Sequence, residues 1–252
     1  PVAGRGGRFP CAFVRPRPER APRAEARRWR AMGTAGRGSM DGRAELLEVA
    51  RRLEALAADR ANATPVRLRA LNALGALGNK AVTGIAGILR DDPDPAIRQE
   101  AASCLGLCGG RAALRPLVSA MTADRDRRVR SAATWALGFL GDERAVPRLV
   151  EVLVDPTESG TVRGSAAEAI GHLAAAPALP ETVAGLLVAA GDPDVEVRFW
   201  AVFALGCVAG DDVVADLERI ARSDRALLEG WWEVGREAKD AVRSIKDRHP
   251  AG

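Results

Sequence analysis

The chain contains no tyrosine, and its five tryptophans and five phenylalanines make up 4% of 252 residues. Any core must therefore be built from Ala, Leu and Val. Histidine occurs twice, and the four cysteines form no CxxC pair, so neither a His-rich metal cluster nor a disulfide scaffold is expected. No apolar run approaches the roughly 18 residues needed to span a bilayer. Lysine is nearly missing, with three residues against 34 arginines, a bias expected of a GC-rich bacterial genome. What remains is 47% apolar and 28% charged, the proportions of a folded globular protein, for which a cytoplasmic location is expected.

The formal charge of +4 is unevenly spread. Residues 1–40 hold ten arginines and two glutamates, a balance of +8, which leaves residues 41–252 at −4. This Arg/Pro/Gly-rich head has no apolar period and reads as disordered. It lacks the 7–15-residue apolar stretch of a secretory signal. Met32 and Met40 stand just ahead of the first patterned segment, so the head also has the look of upstream sequence outside the native protein.

The rest is organised by a repeat. Five segments align: TPVRLRALNALGALG (64–78), PAIRQEAASCLGLCG (95–109), RRVRSAATWALGFLG (127–141), GTVRGSAAEAIGHLA (160–174) and VEVRFWAVFALGCVA (195–209), with a degenerate sixth, WEVGREAKDAVRSIK (232–246). With Val66, Ile97, Val129, Val162, Val197 and Val234 as position zero, the copies are 31 to 37 residues apart. Position +4 is Ala in all six, and +8 is Leu, Ile or Val. Apolar residues at 0, +4, +7, +8 and +11 form one face of a helix. A Gly/Asp break and a second apolar-periodic segment follow each copy, as in Val146, Leu149, Val150 and Leu153. A helix at about 43–58, carrying Leu46, Leu47, Ala50, Leu53 and Leu56, precedes the first copy and is expected to cover the otherwise exposed end of the stack.

The string VRxxAxxALGxLG, with Asp-rich breaks and a second helix, resembles the HEAT-like repeats of the phycobilisome-lyase type over roughly residues 42–247. The resemblance implies an all-α fold, an α-solenoid of helical hairpins, with the VR-type helix on the concave side. It also implies that the recurrent Arg at +1 (Arg67, Arg98, Arg130, Arg163, Arg198) pairs with acids of the breaks (Asp92, Asp94, Asp124, Asp126, Asp192, Asp194) in a ladder between repeats. The competing reading of five arginines in register is a phosphate ladder, but +1 lies at the edge of the buried stripe. Gly at +9 (Gly75, Gly106, Gly138, Gly171, Gly206) costs about 1 kcal/mol against Ala inside a helix. Its retention implies a neighbouring backbone passing close by.

Cys104 and Cys108 are four apart on one helix face, a spacing compatible with metal ligation. They nevertheless occupy core columns and read as small buried thiols. Cys207 and His172 share column +10 one copy apart, and a nucleophile–base pair there would need a third, orienting group. No catalytic residue, metal or cofactor is expected.

Function is expected where the copies differ, on the free columns +2, +3, +6 and +10. Copies three and five are aromatic there (Trp135, Phe139; Phe199, Trp200, Phe203), and copy four between them is small and polar, with Gly164, Ser165 and Glu168. With helices 8–10 Å apart, two aromatic walls would stand roughly 16–20 Å apart over a shallow floor, a seat for a partner helix or peptide. The opposing reading is self-coverage, the rings packing on one another or under Trp231, Trp232 and the 223–230 loop. Trp231 and Trp232 are expected to seal the C-terminal end.

The leading function is thus a non-catalytic protein-binding scaffold or adaptor using the concave face of copies three to five. Two alternatives rest on resemblance: a bilin-lyase-like or other ligand-handling repeat enzyme, and a DNA-binding protein similar to HEAT-like DNA glycosylases. A −4 body with its arginines tied into a ladder lacks the cationic groove that DNA requires. Di-iron hydroxylases of this repeat class need several His-Glu pairs, which this chain does not have. The expected partner is another protein, not nucleic acid or a membrane.

Overall fold

The structure, a computed structural model, describes residues 40–175 and 177–248; the expected head at 1–40 lies outside them except for Met40. The described residues form twelve α-helices in six antiparallel hairpins. These are α1 (Met40–Ala58) with α2 (Thr64–Ala76), α3 (Val82–Asp91) with α4 (Pro95–Cys108), and α5 (Leu114–Ala123) with α6 (Arg127–Leu140). They continue as α7 (Val146–Val154) with α8 (Gly160–Leu173), α9 (Pro180–Ala189) with α10 (Val195–Val208), and α11 (Val214–Ser223) with α12 (Val234–Arg248). The even-numbered helices are the VR-type copies. The all-α solenoid expected from the repeat is what the chain adopts. Among the described residues no helix is long and apolar enough to cross a membrane.

Local chemistry sets the helix ends. Asp94, Asp126 and Asp194 cap α4, α6 and α10, each side chain accepting a backbone N–H two residues on at 2.8–2.9 Å, which satisfies an amide the helix leaves unpaired. Pro95 opens α4, where no N–H is needed. Gly141 ends α6 with φ of 76°, a left-handed conformation that a side chain would disfavour.

The even helices lie side by side down the whole stack, and the +9 glycines set how close they come. A Cβ on Gly106 would stand 2.7 Å from Cα of Ala136, and one on Gly138 3.0 Å from Cα of Ala169. The same holds for Gly171 against Ala204 and Gly206 against Ala241, at 3.1 and 2.8 Å. In each pair +9 of one copy meets the +7 alanine of the next, as the retained glycine implied. The odd helices approach one another less closely along the stack, and the even row forms its inner layer.

The +1 arginines form the expected ladder. Arg98 donates Nε and Nη2 to both carboxylate oxygens of Asp124 at 2.8 and 2.9 Å, and Arg130 does the same to Glu158 at 2.6 and 2.9 Å. Arg163 reaches Asp192 at 2.9 Å, Arg198 reaches Asp224 at 2.8 Å, and Arg67 pairs with Asp92. Four of the arginines also donate Nη1 to a backbone carbonyl of the break before their own helix, at Asp92, Asp124, Glu158 and Asp192. Each ladder acid further accepts a backbone N–H of its own break. Burial pushes the Asp124 and Glu158 carboxyls up. Hydrogen bonds from the arginines and amides outweigh it, and both titrate below their ordinary range.

Two expectations change. Of the six acids, only Asp92, Asp124 and Asp192 pair with arginine; Asp94, Asp126 and Asp194 are the helix caps just described. Glu158 and Asp224 complete the ladder. Glu158 stands four residues before position zero instead of five, and its extra methylene restores the reach. Asp224 stands ten before Val234, because the Trp231–Trp232 loop intervenes.

The lead-in helix α1 packs against α2 at the N-terminal end of the described stack. It packs through the small residues Ala50 and Ala57 and leaves Leu46, Leu47, Val49 and Leu56 exposed. Its exposed surface also carries Glu45, Glu48, Arg51 and Arg52.

Candidate functional site

The free columns of the even helices form the inner surface. At copies one and two they are ordinary and wet: Arg69, Asn72 and Gln99 are exposed, and Glu100 is half-buried. Burial raises the Glu100 carboxyl against an opposing hydrogen bond from Asn72. At copy three, Ser131, Ala132, Trp135 and Phe139 are all half-buried. Trp135 and Phe139, one turn apart on α6, have ring centroids 4.1 Å apart and tilted by 37°.

The expected second wall is not open. Phe199 and Trp200 are 1% exposed and Phe203 8%. Glu168, expected beside the partner, is 9% exposed and buried in the monomer. The floor is closed as well: Ser165 is 2% exposed, with its hydroxyl 3.1 Å from that of Ser131. The smallness of copy four closes the floor and the Phe203 side. With no side chain on Gly164 or Gly171, α10 settles onto α8, so that a Cβ at those positions would meet Glu196 Cγ and Phe203 Cε1 at 2.9 Å. The residues read as a floor are a close-packing surface, and the 16–20 Å gap does not exist.

The rings instead make one continuous strip. Phe139 meets His172 at 6.3 Å between centroids, His172 meets Phe203 at 5.6 Å, and Phe203 meets Trp200 at 5.6 Å. Trp200 then contacts Phe199 and Trp231, and Trp232 lies against Phe199. Trp231 and Trp232 therefore lie over the free face of α10, in the self-covering arrangement. Trp232 is fixed there by donating Nε1 to Glu237 at 2.7 Å, with the Arg236 guanidinium 5.0 Å from its ring centre. His172 was visible in sequence only as a neighbour of Cys207. Its shared column with Phe139, one copy apart, was the signal for its place in the strip.

Cys104 and Cys207 are buried and Cys108 half-buried. Cys104 accordingly does sit in the core, and Cys108 donates its thiol to the Cys104 carbonyl at 2.8 Å. Burial pushes the Cys108 thiol up to about 11 and Cys104 well above its ordinary value. Among the described residues no group of three His, Cys, Asp or Glu side chains could hold a metal ion. The five ladder arginines are engaged with acids and do not line a phosphate track. What the inner surface offers is the partly exposed Trp135–Phe139 pair, with His172 against Phe139.

An inner row of helices in backbone contact, an Arg–acid ladder along one edge and a variable inner face define an α-solenoid of repeated hairpins. The family described as HEAT repeats matches residues 82–171 and 157–229, and the chain belongs to it. No curated protein matches in sequence. Among solved structures, the fold is similar to that of the E. coli protein YibA, with 20% identity, a TM-score of 0.55, and 84% of this chain and 78% of that one covered. It is also similar to the complex of CpcE and CpcF of phycocyanin lyase from Nostoc sp. PCC7120, with 19% identity, a TM-score of 0.50 and coverage of 64% and 97%. A third is a designed armadillo repeat protein in complex with the peptide (KR)4, with 18% identity, a TM-score of 0.50 and coverage of 80% and 99%.

Proposed function

We propose that this chain is a non-catalytic adaptor that holds a helix or peptide of another protein on its inner face at copies two to four, with Trp135 and Phe139 as the anchor. The observation that carries the reading is that these two rings, with centroids 4.1 Å apart, stay partly exposed while Phe199, Trp200 and Phe203 are buried. Aromatic anchors of this kind dominate binding energy at protein interfaces, and an extended solenoid face suits an elongated partner. The designed armadillo protein bound to a peptide and the CpcE–CpcF complex are similar folds engaged with polypeptide partners, which supports the reading.

The test is affinity capture from native lysate followed by mass spectrometry, comparing the full chain with its Trp135→Ala/Phe139→Ala variant after both are shown to be equally helical. A protein retained by the first and lost by the second supports the adaptor. Equal capture by both moves the interface away from this pair, and capture of nothing by either overturns the proposal.

A further inference from the structure

Between α3 and α5 lies a groove of about 1040 Å³ that no free-column residue of the even helices lines. Part of its lining is small and apolar, with Ala86, Leu89, Ala120 and Ala123. Three exposed arginines line it from three separate segments: Arg90 near the end of α3, Arg115 in the first turn of α5, and Arg125 in the break before α6. The acids that line it are already committed. Asp92 is paired with Arg67 and Asp124 with Arg98, while Asp91 meets Arg90 at 2.7 Å in an exposed pair. The carbonyls just past the end of α3 are taken too, since Asp92 and Pro93 accept from Arg98, and Pro93 also from Arg125. Arg115 and Arg125 are thus surplus positive charge, and Arg90 is held only by a water-facing pair of the weak kind.

The fold does not require these arginines. Leu117 of α5 and Leu149 of α7 are equivalent core positions, both fully buried. With those two aligned, Arg90, Arg115 and Arg125 correspond to Thr122, Pro147 and Thr157 one hairpin further on. The groove between α3 and α5 is therefore set apart from its neighbour by charge alone, and a cleft lined by one sign of charge focuses its field on an incoming ligand.

We propose that this groove is a second docking site, separate from the inner face, and that it takes an extended acidic segment of a partner protein. Carboxylates of that segment pair with Arg115 and Arg125, and a third displaces Asp91 from Arg90. Four observations select this occupant. The donors on offer are guanidinium forks, which match carboxylates in a two-point geometry. The volume stands at the upper end of the roughly 300–1,000 Å³ of small-molecule pockets, more than one small anion fills. No aromatic side chain lines the groove, so a nucleic-acid base has nothing to stack on, and the −4 balance of residues 41–252 repels a long polyanion. Residues 1–39, with ten arginines against two glutamates, carry the groove's own sign of charge.

The probe is an alternating Glu-Asp octapeptide bearing a benzophenone photo-cross-linker, offered to the full chain and mapped by peptide mass spectrometry. Adducts in the groove are thereby scored apart from any on the arginines of residues 1–39. They are expected at 86–93 and 112–125, with a yield that falls about tenfold or more in Arg115→Glu/Arg125→Glu, which removes both surplus charges. Arg219→Glu/Arg222→Glu makes the same change of net charge at exposed positions of α11 and should leave the groove adducts unchanged. Trp135→Ala/Phe139→Ala should leave them unchanged as well, so this site can stand or fall independently of the inner face. All variants are first matched by circular dichroism and thermal unfolding. Adducts found only outside the groove, a yield indifferent to Arg115 and Arg125, or an equal loss in both charge-reversed variants would each overturn the proposal. So would tripolyphosphate or oligothymidylate clearing the groove at a lower concentration than the unlabelled peptide, which would assign it to phosphates.

Discussion

Gly106 of α4 and Ala136 of α6 meet with no side chain between their backbones. A methyl group on Gly106 would sit 2.7 Å from the Ala136 Cα, a contact that only a shift of one helix can relieve. Gly106→Ala should therefore cost about 1–3 kcal/mol through overpacking, in spite of the better helix propensity of alanine. Gly75→Ala is the control. Its nearest neighbour is Cys104 Sγ at 3.4 Å, an ordinary contact, so the change should be neutral or stabilise by up to about 1 kcal/mol. Urea unfolding of the two variants checks the opposite signs.

Removing a ladder arginine strands its acid. The Arg98 and Asp124 side chains are almost fully enclosed, and Arg98→Ala should destabilise by about 3–5 kcal/mol, as expected when one partner of a buried pair is deleted. Arg148→Ala removes an ion pair to Glu151 that faces water on α7 and should cost less than about 1 kcal/mol. Thermal unfolding should separate the two variants clearly.

The ladder also fixes the acid limb of stability. Asp124 and Glu158 titrate below their ordinary values in the folded chain. Their contribution is therefore complete above the unfolded-state values and is lost as the pH falls through the folded ones. Stability should be level above about pH 5, the upper edge of the unfolded-state carboxylate range, and decline as the pH falls below it. Asp124→Asn should flatten part of that decline, read from denaturation midpoints across the pH range.

The aromatic strip divides into two classes. Trp200→Ala or Phe199→Ala should cost about 3–5 kcal/mol as cavities in a packed region. Trp135→Ala should cost less, because its ring is only partly buried, and should act on partner binding as well. Melting temperatures and capture yields measured on the same variants distinguish the two effects.

Cys104 and Cys108 should resist alkylation. With their thiols raised by burial, the reactive thiolate is on the order of one part in a thousand at pH 8 for Cys108. Iodoacetamide should label both at least a hundredfold faster in urea than in buffer, as peptide mass mapping would show.

Recurrence within a single chain made the fold legible. Six alanines at +4 and five glycines at +9 define which helix faces touch, and Gly106 and Ala136 meet as that pattern requires. The arginine half of the ladder was readable for the same reason. Its acidic half was only partly so, since Glu158 and Asp224 sit at other distances from position zero and pairing depends on reach in space. The inner surface was misjudged for a related reason. Gly164 and Ser165 look like an open floor in a sequence, yet the bare Gly164 and Gly171 are what let α10 close over α8 at Glu196 and Phe203, while Trp231 and Trp232 cover Phe199 and Trp200. On α1 the sequence pattern did not say which apolar residues turn inward: Ala50 and Ala57 take those positions, while Leu46 and Leu56 stay exposed.

Each ladder carboxylate is held by an arginine of the preceding copy and an amide of its own break. The joint between two hairpins therefore cannot be cut without leaving a cation on one fragment and an anion on the other. Excising one complete copy, however, leaves an arginine before the gap and an acid after it, since every junction pairs the +1 arginine with a carboxylate of the next break. The stack can thus change length only in whole units, and its dividing lines fall between position +1 of one copy and the break of the next.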